Sequence, residues 1–144
     1  MPGEDPIRSA IVAIVDPSTG RTLVLRRLDE NTDFPSTWCF PGGRAQPGET
    51  TGETAVREVH EETGLEVHGL EYLARRVSTG TTGLTYLIDC FVTQTWAGSL
   101  IAFPSAEHSE ARWLPMDALG HLEPTGPTTR WLAETVASRY PTMG

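Results

Sequence analysis

Three glutamates, Glu58, Glu61 and Glu62, stand at the spacing i, i+3, i+4. On a helix that spacing puts their carboxylates on one face. Three carboxylates so close repel one another at neutral pH, and this stretch has one Arg, Arg57, and no Lys to offset them. A hard divalent cation would do so, because carboxylate oxygens are the preferred ligands of Mg²⁺. Charge runs usually just face water. Here Pro41-Gly42-Gly43 precedes the acidic stripe, and Glu49 and Arg57 keep a fixed distance from it, so the metal-binding chemistry is the better reading.

The elements that must position these groups follow from local signals. Thr50 with Glu53 forms a capping box, so a helix is expected to start at Thr51, and Gly64 suits the position just past its C-terminus. Ala55, Val56 and Val59 lie on the neighbouring face and are expected to pack on a sheet. Ile7–Val15 and Thr22–Arg27 read as a hairpin around the turn residues Asp16–Gly20. Of Arg26 and Arg27 only one can line a site, since strand neighbours point opposite ways; Arg26 is taken as the substrate contact, with Arg44 beside it. Phe34 and Trp38 precede the two glycines and could stack on a base, with packing as the ordinary role of Trp38. Glycines there permit close approach of backbone to a ligand. Further on, Leu65–Val67 and Tyr72–Val77 are short strands, and Ser78–Gly83 is a flexible turn. Leu84–Trp96 is the longest strand and central. Pro104–Ser109 is a loop, Ala111–Leu114 a strand, Pro115–Leu119 a helical turn and Thr128–Tyr140 a helix. Strands flanking one helix, with a second closing the chain, imply a mixed α/β sheet with helices on both faces. No repeat or linker divides residues 1–144, which read as one domain.

Composition narrows the partners. The formal net charge is −8, and all 11 basic residues are Arg. That balance argues against a nucleic-acid polymer, while a small polyphosphate remains compatible if a metal and a few Arg residues gather locally. Cys39 and Cys90 are far apart and read as buried thiols rather than a disulfide or a zinc site. No membrane span or leader pattern is evident, so a cytoplasmic location is the default.

From Gly43 to Leu65 the chain reads G-x5-E-x7-R-E-U-x-E-E-x-G-U, where U is aliphatic, and so resembles the Nudix box at every fixed position. Seven fixed residues at ~7% abundance each would coincide by chance at roughly 10⁻⁸ per starting point. The resemblance extends to W-x-x-P-G-G before the box and S-E-A-R-W-L-P after it. It implies an α/β/α sandwich with a mixed sheet between helices. It also implies hydrolysis of a nucleoside diphosphate linked to another group, X, with Mg²⁺ or Mn²⁺ and a water nucleophile. By that analogy Glu58, Glu61 and Glu62 are metal ligands, joined by the Gly43 carbonyl and by Glu49 directly or through water. Arg57 would orient a box glutamate. The general base is either Glu58 or Glu110, with Glu107 and His108 as weaker candidates whose ordinary reading is surface loop. His60 fills an unrestricted box position and is expected to face solvent.

Departures bear on the substrate. Gln46 stands where many relatives carry Glu. The Pro that marks ADP-ribose hydrolases is absent from Ser78-Thr79-Gly80, and Tyr86 lies too far along to be the Tyr of dinucleoside-polyphosphate hydrolases. The expectation is a MutT-like pyrophosphohydrolase that cleaves a nucleoside triphosphate to monophosphate and pyrophosphate. The alternatives are a hydrolase of ADP-ribose, a nucleotide sugar or a dinucleoside polyphosphate, and a nucleotide sensor without turnover. A homodimer is left open.

Overall fold

The computed structural model of the chain describes residues 5–28, 35–79 and 82–140. Strand β1 (Ile7–Asp16) is the axis of the sheet. Its residues alternate between two cores, as a strand's pleat requires. Ala10, Val12 and Ile14 join one cluster, and Ile11, Ala13 and Val15 the other. Burial on both faces explains its nearly continuous apolar sequence. A turn tied by the Asp16 carboxylate, which accepts from Ser18 N–H at 3.1 Å and from the Ser18 and Thr19 hydroxyls, leads into β2 (Arg21–Arg27).

The hairpin is brief. β1 and β2 pair only at Val15–Thr22 and Asp16–Arg21 and then splay apart. Two short strands fill the fork: β3 (Trp38–Cys39) on β2, and β4 (Gly42–Arg44) on β1. The Pro41 carbonyl between them accepts the Val12 N–H at 2.9 Å. The Pro-Gly-Gly loop is thus held inside the sheet.

β5 (Glu66–His68) follows the box, then β6 (Glu71–Thr79), which pairs antiparallel with β7 (Thr85–Thr93). β7 runs parallel to β1 and lies inside the sheet. The single strand expected over Leu84–Trp96 is broken at Gln94, and β1 is longer than either part. The Thr93 hydroxyl donates to the His68 carbonyl and accepts the Thr95 N–H, which turns the chain into β8 (Thr95–Ala97), paired with β5 in a small second sheet. β9 (His108–Pro115) lines the outer edge of β2, starting earlier than the expected strand; Ser78 and Thr79, expected in a turn, extend β6.

Helix α1 (Thr51–Thr63) covers one face of the sheet. Short α2 (Met116–Leu119) and α3 (Pro127–Arg139) cover the other. This is the expected sandwich. The α1 caps are as expected: Thr50 and Glu53 close the capping box, and Gly64, at φ +84°, ends the helix. Its buried stripe is narrower than expected. Ala55 and Val59 are fully buried, but Val56 is exposed, because one residue turns it about 100° from Ala55 and away from the sheet. Among the described residues no helix is long and apolar enough to cross a membrane.

Candidate active site

The fork between β1 and β2, α1, the start of β9 and the start of α3 enclose a cavity of about 470 Å³. One end is acidic. Glu58 and Glu62, a helical turn apart on α1, both line it, as do Gly43, Glu107 and His108. Ser9, Ser78, Tyr86 and Thr128 add hydroxyl groups to the lining. The N-terminus of α3 also lines the cavity: its N-cap, Gly126, has no capping side chain, which leaves the Thr128 and Thr129 N–H groups without a helical acceptor.

Each acidic group is held by a specific contact. Gly42 N–H donates to Glu62 Oε1 at 2.8 Å. Gly43 lies so close to Glu58 that a Cβ there would come within 2.6 Å of the carboxylate carbon. Arg57 gathers the rest. Its Nε and Nη2 grip both oxygens of Glu49 at 2.8 and 2.9 Å, Nη1 reaches Glu58 at 2.9 Å and Glu61 at 3.2 Å, and Nη2 also donates to the Arg44 carbonyl. One guanidinium thus locks the helix, the loop before it and β4 into one frame. The N-terminus of α1 is tied separately. Asp89, buried on β7, accepts the Thr51 hydroxyl at 2.6 Å and a two-pronged contact from Arg75 at 2.8 and 3.1 Å.

Electrostatics separates the carboxylates. The Arg57 hydrogen bonds hold Glu49 down at about 2. Burial raises Glu58, against the pull of Arg57. Burial pushes Glu62 up to about 9, opposed by the Gly42 N–H and reinforced by Glu58 and Glu107. Burial also lowers His108 to about 4, so its ring is neutral at pH 7. Concentrated, desolvated acids of this kind favour a cation.

The family model for the NUDIX domain matches residues 6–134. The chain belongs to this family. It is 32% identical over 126 residues to mouse nucleoside diphosphate-linked moiety X motif 6, covering 84% of this chain and 38% of that protein. It is 28% identical to the nucleoside triphosphatase NudI of Enterobacter, covering 78% of this chain and 86% of that protein. The MutT NUDIX hydrolase of Burkholderia pseudomallei shares the fold at a TM-score of 0.80, with 23% identity over 91% of this chain and 98% of that one. The MutT protein of Methanosarcina mazei does so at 0.78, with 25% identity over 98% and 100%. The chain therefore spans well under half of the mouse relative but nearly all of the bacterial and archaeal ones.

Within this Nudix frame the expected site residues divide. Gly43, Arg44, Trp38, Glu58 and Glu62 line the cavity. Glu61 is not in the lining; its side chain is half exposed and meets Arg57 at 3.2 Å. Glu49 is not a cavity residue; its oxygens are taken up by Arg57, the Gln46 N–H and the Thr54 hydroxyl. Two expected residues are not in the cavity lining. Arg26 does not reach the cavity: its Nε donates to the Ser36 carbonyl at 3.1 Å and its guanidinium lies over Trp38, while Arg27 lines the cavity instead. Glu110 does not reach it either, and lies 2.9 Å from Arg112 on the same strand. Trp38 is buried at the cavity wall, with Arg26 and Arg112 against its ring. Phe34 lies outside the described residues. His60 is exposed, as expected. Cys39 and Cys90 are free thiols, both pushed up to about 12 by burial, and carry no nucleophilic character.

Glu107 and His108 belong to the site more fully than their sequence suggested. A register shift between Arg26 and Arg27 in the β2–β9 ladder marks the place where β9 begins with His108, Glu107 just before it. The available signal was compositional: a Glu-His-Ser-Glu run in an otherwise apolar, proline-containing loop.

Proposed function

We propose that the chain is a metal-dependent Nudix pyrophosphohydrolase that cleaves a nucleoside triphosphate to monophosphate and pyrophosphate. One observation carries the reading: Glu58 and Glu62 face a single cavity whose wall is the Gly43 backbone, in contact with Glu58. Enterobacter NudI is named a nucleoside triphosphatase, and a Mycobacterium tuberculosis protein 35% identical over 88 residues is named a putative 8-oxo-dGTP diphosphatase. Both names support a triphosphate substrate.

The residues fit a hard divalent ion, Mg²⁺ or Mn²⁺. The donors are carboxylate oxygens, and the missing side chain at Gly43 leaves a cradle against Glu58 that any Cβ would fill. Glu58 and Glu62 would hold the ion with the Gly43 carbonyl, and Glu61 would complete the set. When bound, the ion supplies charge neutralisation at the phosphate oxygens and acidity to water. The chain's own groups do the rest. Glu58 accepts the proton of the attacking water; its place in the cavity favours it over Glu110 as base. Arg57 holds Glu58 in position. Arg27 and Arg44 meet phosphate charge, and the hydroxyls of Ser9, Ser78, Tyr86 and Thr128 meet the nucleoside, in a volume typical of small-molecule sites.

The test is a product assay by mass spectrometry with Mg²⁺ and then Mn²⁺. Its panel holds normal and oxidised nucleoside triphosphates, nucleotide sugars, ADP-ribose and dinucleoside polyphosphates. Release of pyrophosphate from a triphosphate, lost in Glu62→Gln, is the expected result. Cleavage confined to sugar- or dinucleotide-linked diphosphates would overturn the substrate. Tight binding without turnover of any compound would overturn the enzyme reading.

A further inference from the structure

The carboxylates leave one feature of the cavity unused, the open N-terminus of α3. This helix runs for 13 residues from Pro127, and its N-cap, Gly126, brings no side chain to accept the first N–H groups. Thr128 and Thr129 line the cavity, and their N–H groups have no acceptor among the described residues. A helix end in that state is partially positive and favours an electron-rich oxygen. A second, independent observation points to a ligand there. Thr128 is only 7% exposed and lines the cavity, and its hydroxyl has no hydrogen-bond partner among the described residues. Ser9 and Ser78, each 6% exposed in the same lining, are in the same condition. Most buried polar side-chain groups in folded proteins are paired, so three unpaired ones around one space call for a polar ligand.

The hydroxyls and the helix end share one side of the sheet. Ser9 pairs with Ile88 and Ser78 with Tyr86, and paired residues point the same way. Ile88 packs on the core that α3 covers, so Ser9 and Ser78 face that helix. The entry to α3 is pinned: Trp38 N–H donates to the Pro124 carbonyl at 2.9 Å, and Trp38 bridges to Thr125. One turn into the helix, the Trp131 ring lies 4.8 Å from the guanidinium of Arg76, two residues before Ser78 on β6.

The polarity of these groups decides what they can read. A hydroxyl donates or accepts and adapts to either partner. A backbone N–H only donates, and the helix fixes its direction. A base with a carbonyl at its pairing edge, such as hypoxanthine, guanine, uracil or thymine, offers these donors an acceptor. Adenine and cytosine carry an amino group at the same position, so donor would face donor with neither satisfied. We propose that the N-terminus of α3, through the Thr128 and Thr129 N–H groups and the Thr128 hydroxyl, selects a nucleobase bearing a carbonyl over one bearing an amino group. The inference rests on the nucleotide reading of the cavity and narrows it to a class of base. It is tested by binding rather than turnover, so either can fail alone.

The experiment is isothermal titration calorimetry of the full chain, with Mg²⁺, against α,β-methylene analogues of ITP, ATP, UTP and CTP, which the proposed reaction cannot cleave. Within the pair that binds more tightly, ITP with ATP or UTP with CTP, the carbonyl member should lead by about tenfold. Gly126→Asp supplies a capping carboxylate that takes up the Thr128 and Thr129 N–H groups. It should raise Tm and abolish or reverse the preference. Gly126→Ala adds a Cβ without an acceptor and should keep the preference. Equal affinities in wild type, a lead for the amino member, or a preference that survives Gly126→Asp would each overturn the inference. If Gly126→Asp does not fold, the wild-type ratio still decides. Carbonyl preference without cleavage of the parent triphosphates would overturn the hydrolase reading alone. Cleavage without preference would overturn this inference alone, and failure of all four analogues to bind would overturn both.

Discussion

Gly43→Ala is the sharpest probe of the acidic end of the cavity. The new Cβ would lie 2.6 Å from the Glu58 carboxyl carbon and 2.8 Å from each of its oxygens, whereas ordinary contacts begin at 3.4 Å. The neighbour that must yield is a side chain, so the backbone can stay while Glu58 retreats by about 1 Å. A displacement of that size at a reacting group can cost about 10²-fold in rate. The retreat also strains the Arg57–Glu58 contact at 2.9 Å, whose side chains are 23% and 16% exposed. A hydrogen bond to a charged group contributes about 1.5–3 kcal/mol, and partial loss places the cost near about 1.5 kcal/mol. For a domain of this size that lowers Tm by roughly 3–6 °C. Initial rates of pyrophosphate release at saturating Mn²⁺ and triphosphate would be measured beside thermal melts. If Gly43→Ala is folded and turns over within about threefold of wild type, then either Glu58 does not act where the cavity places it or its position does not matter. In both cases the reasoning from close approach to chemistry is wrong.

Gly52→Ala is the contrasting change: its Cβ would meet only the Thr50 hydroxyl at 3.9 Å. It should raise stability by about 0.5–1 kcal/mol through helix propensity and leave kcat unchanged; a lower Tm would refute that. Asp89→Asn should cost about 1–2 kcal/mol, discounted because Arg75 is half exposed. Burial alone would raise Asp89, but its Arg75 and Thr51 hydrogen bonds outweigh that and hold it below its ordinary 3.8. A depressed acid stabilises the fold above its unfolded pKa and loses that contribution as pH falls through the folded one. The stability gap between wild type and Asp89→Asn should therefore be full near neutral pH and close below about 3.8. A gap that widens on acidification in urea titrations would reverse the assignment.

What could be read from the sequence was local. The α1 caps depend on residues three positions apart, and the carboxylate stripe on helical periodicity, so both were visible in Thr50, Glu53, Gly64, Glu58 and Glu62. What the sequence did not show depended on partners distant along the chain. The choice between Arg26 and Arg27 is one of pleat parity, set by how β2 pairs with β3 and β9. The register shift beside Arg27 governs which residues of Glu107–Glu110 reach the cavity, and nothing in the hydrophobic pattern encodes it. Val56 was misjudged because the sheet meets a stripe of Ala55, Val59 and Thr63 rather than a broad face. The break at Gln94 comes from one hydroxyl, Thr93, that turns the backbone aside.

The arginine pair offers the clearest way to set parity against pattern. Arg44 lines the cavity, steadied by Tyr86 through a 3.4 Å hydrogen bond and a guanidinium–ring distance of 5.7 Å. Arg26 lies beyond the wall, packed over Trp38 and bonded to the Ser36 carbonyl. A phosphate contact from an exposed Arg sits at the low end of charged hydrogen bonds, about 1.5 kcal/mol, or about tenfold in binding. Arg44→Ala should therefore raise KM for a triphosphate about tenfold with little change in Tm. Arg26→Ala should do the reverse, lowering Tm while KM holds, because its loss uncovers a buried indole and frees a backbone carbonyl. Steady-state kinetics and melting of the two variants decide the matter together. A KM effect from Arg26 without a Tm effect would mean that the wall formed by Trp38 opens in solution, and that the sequence expectation described the working state better than the cavity does.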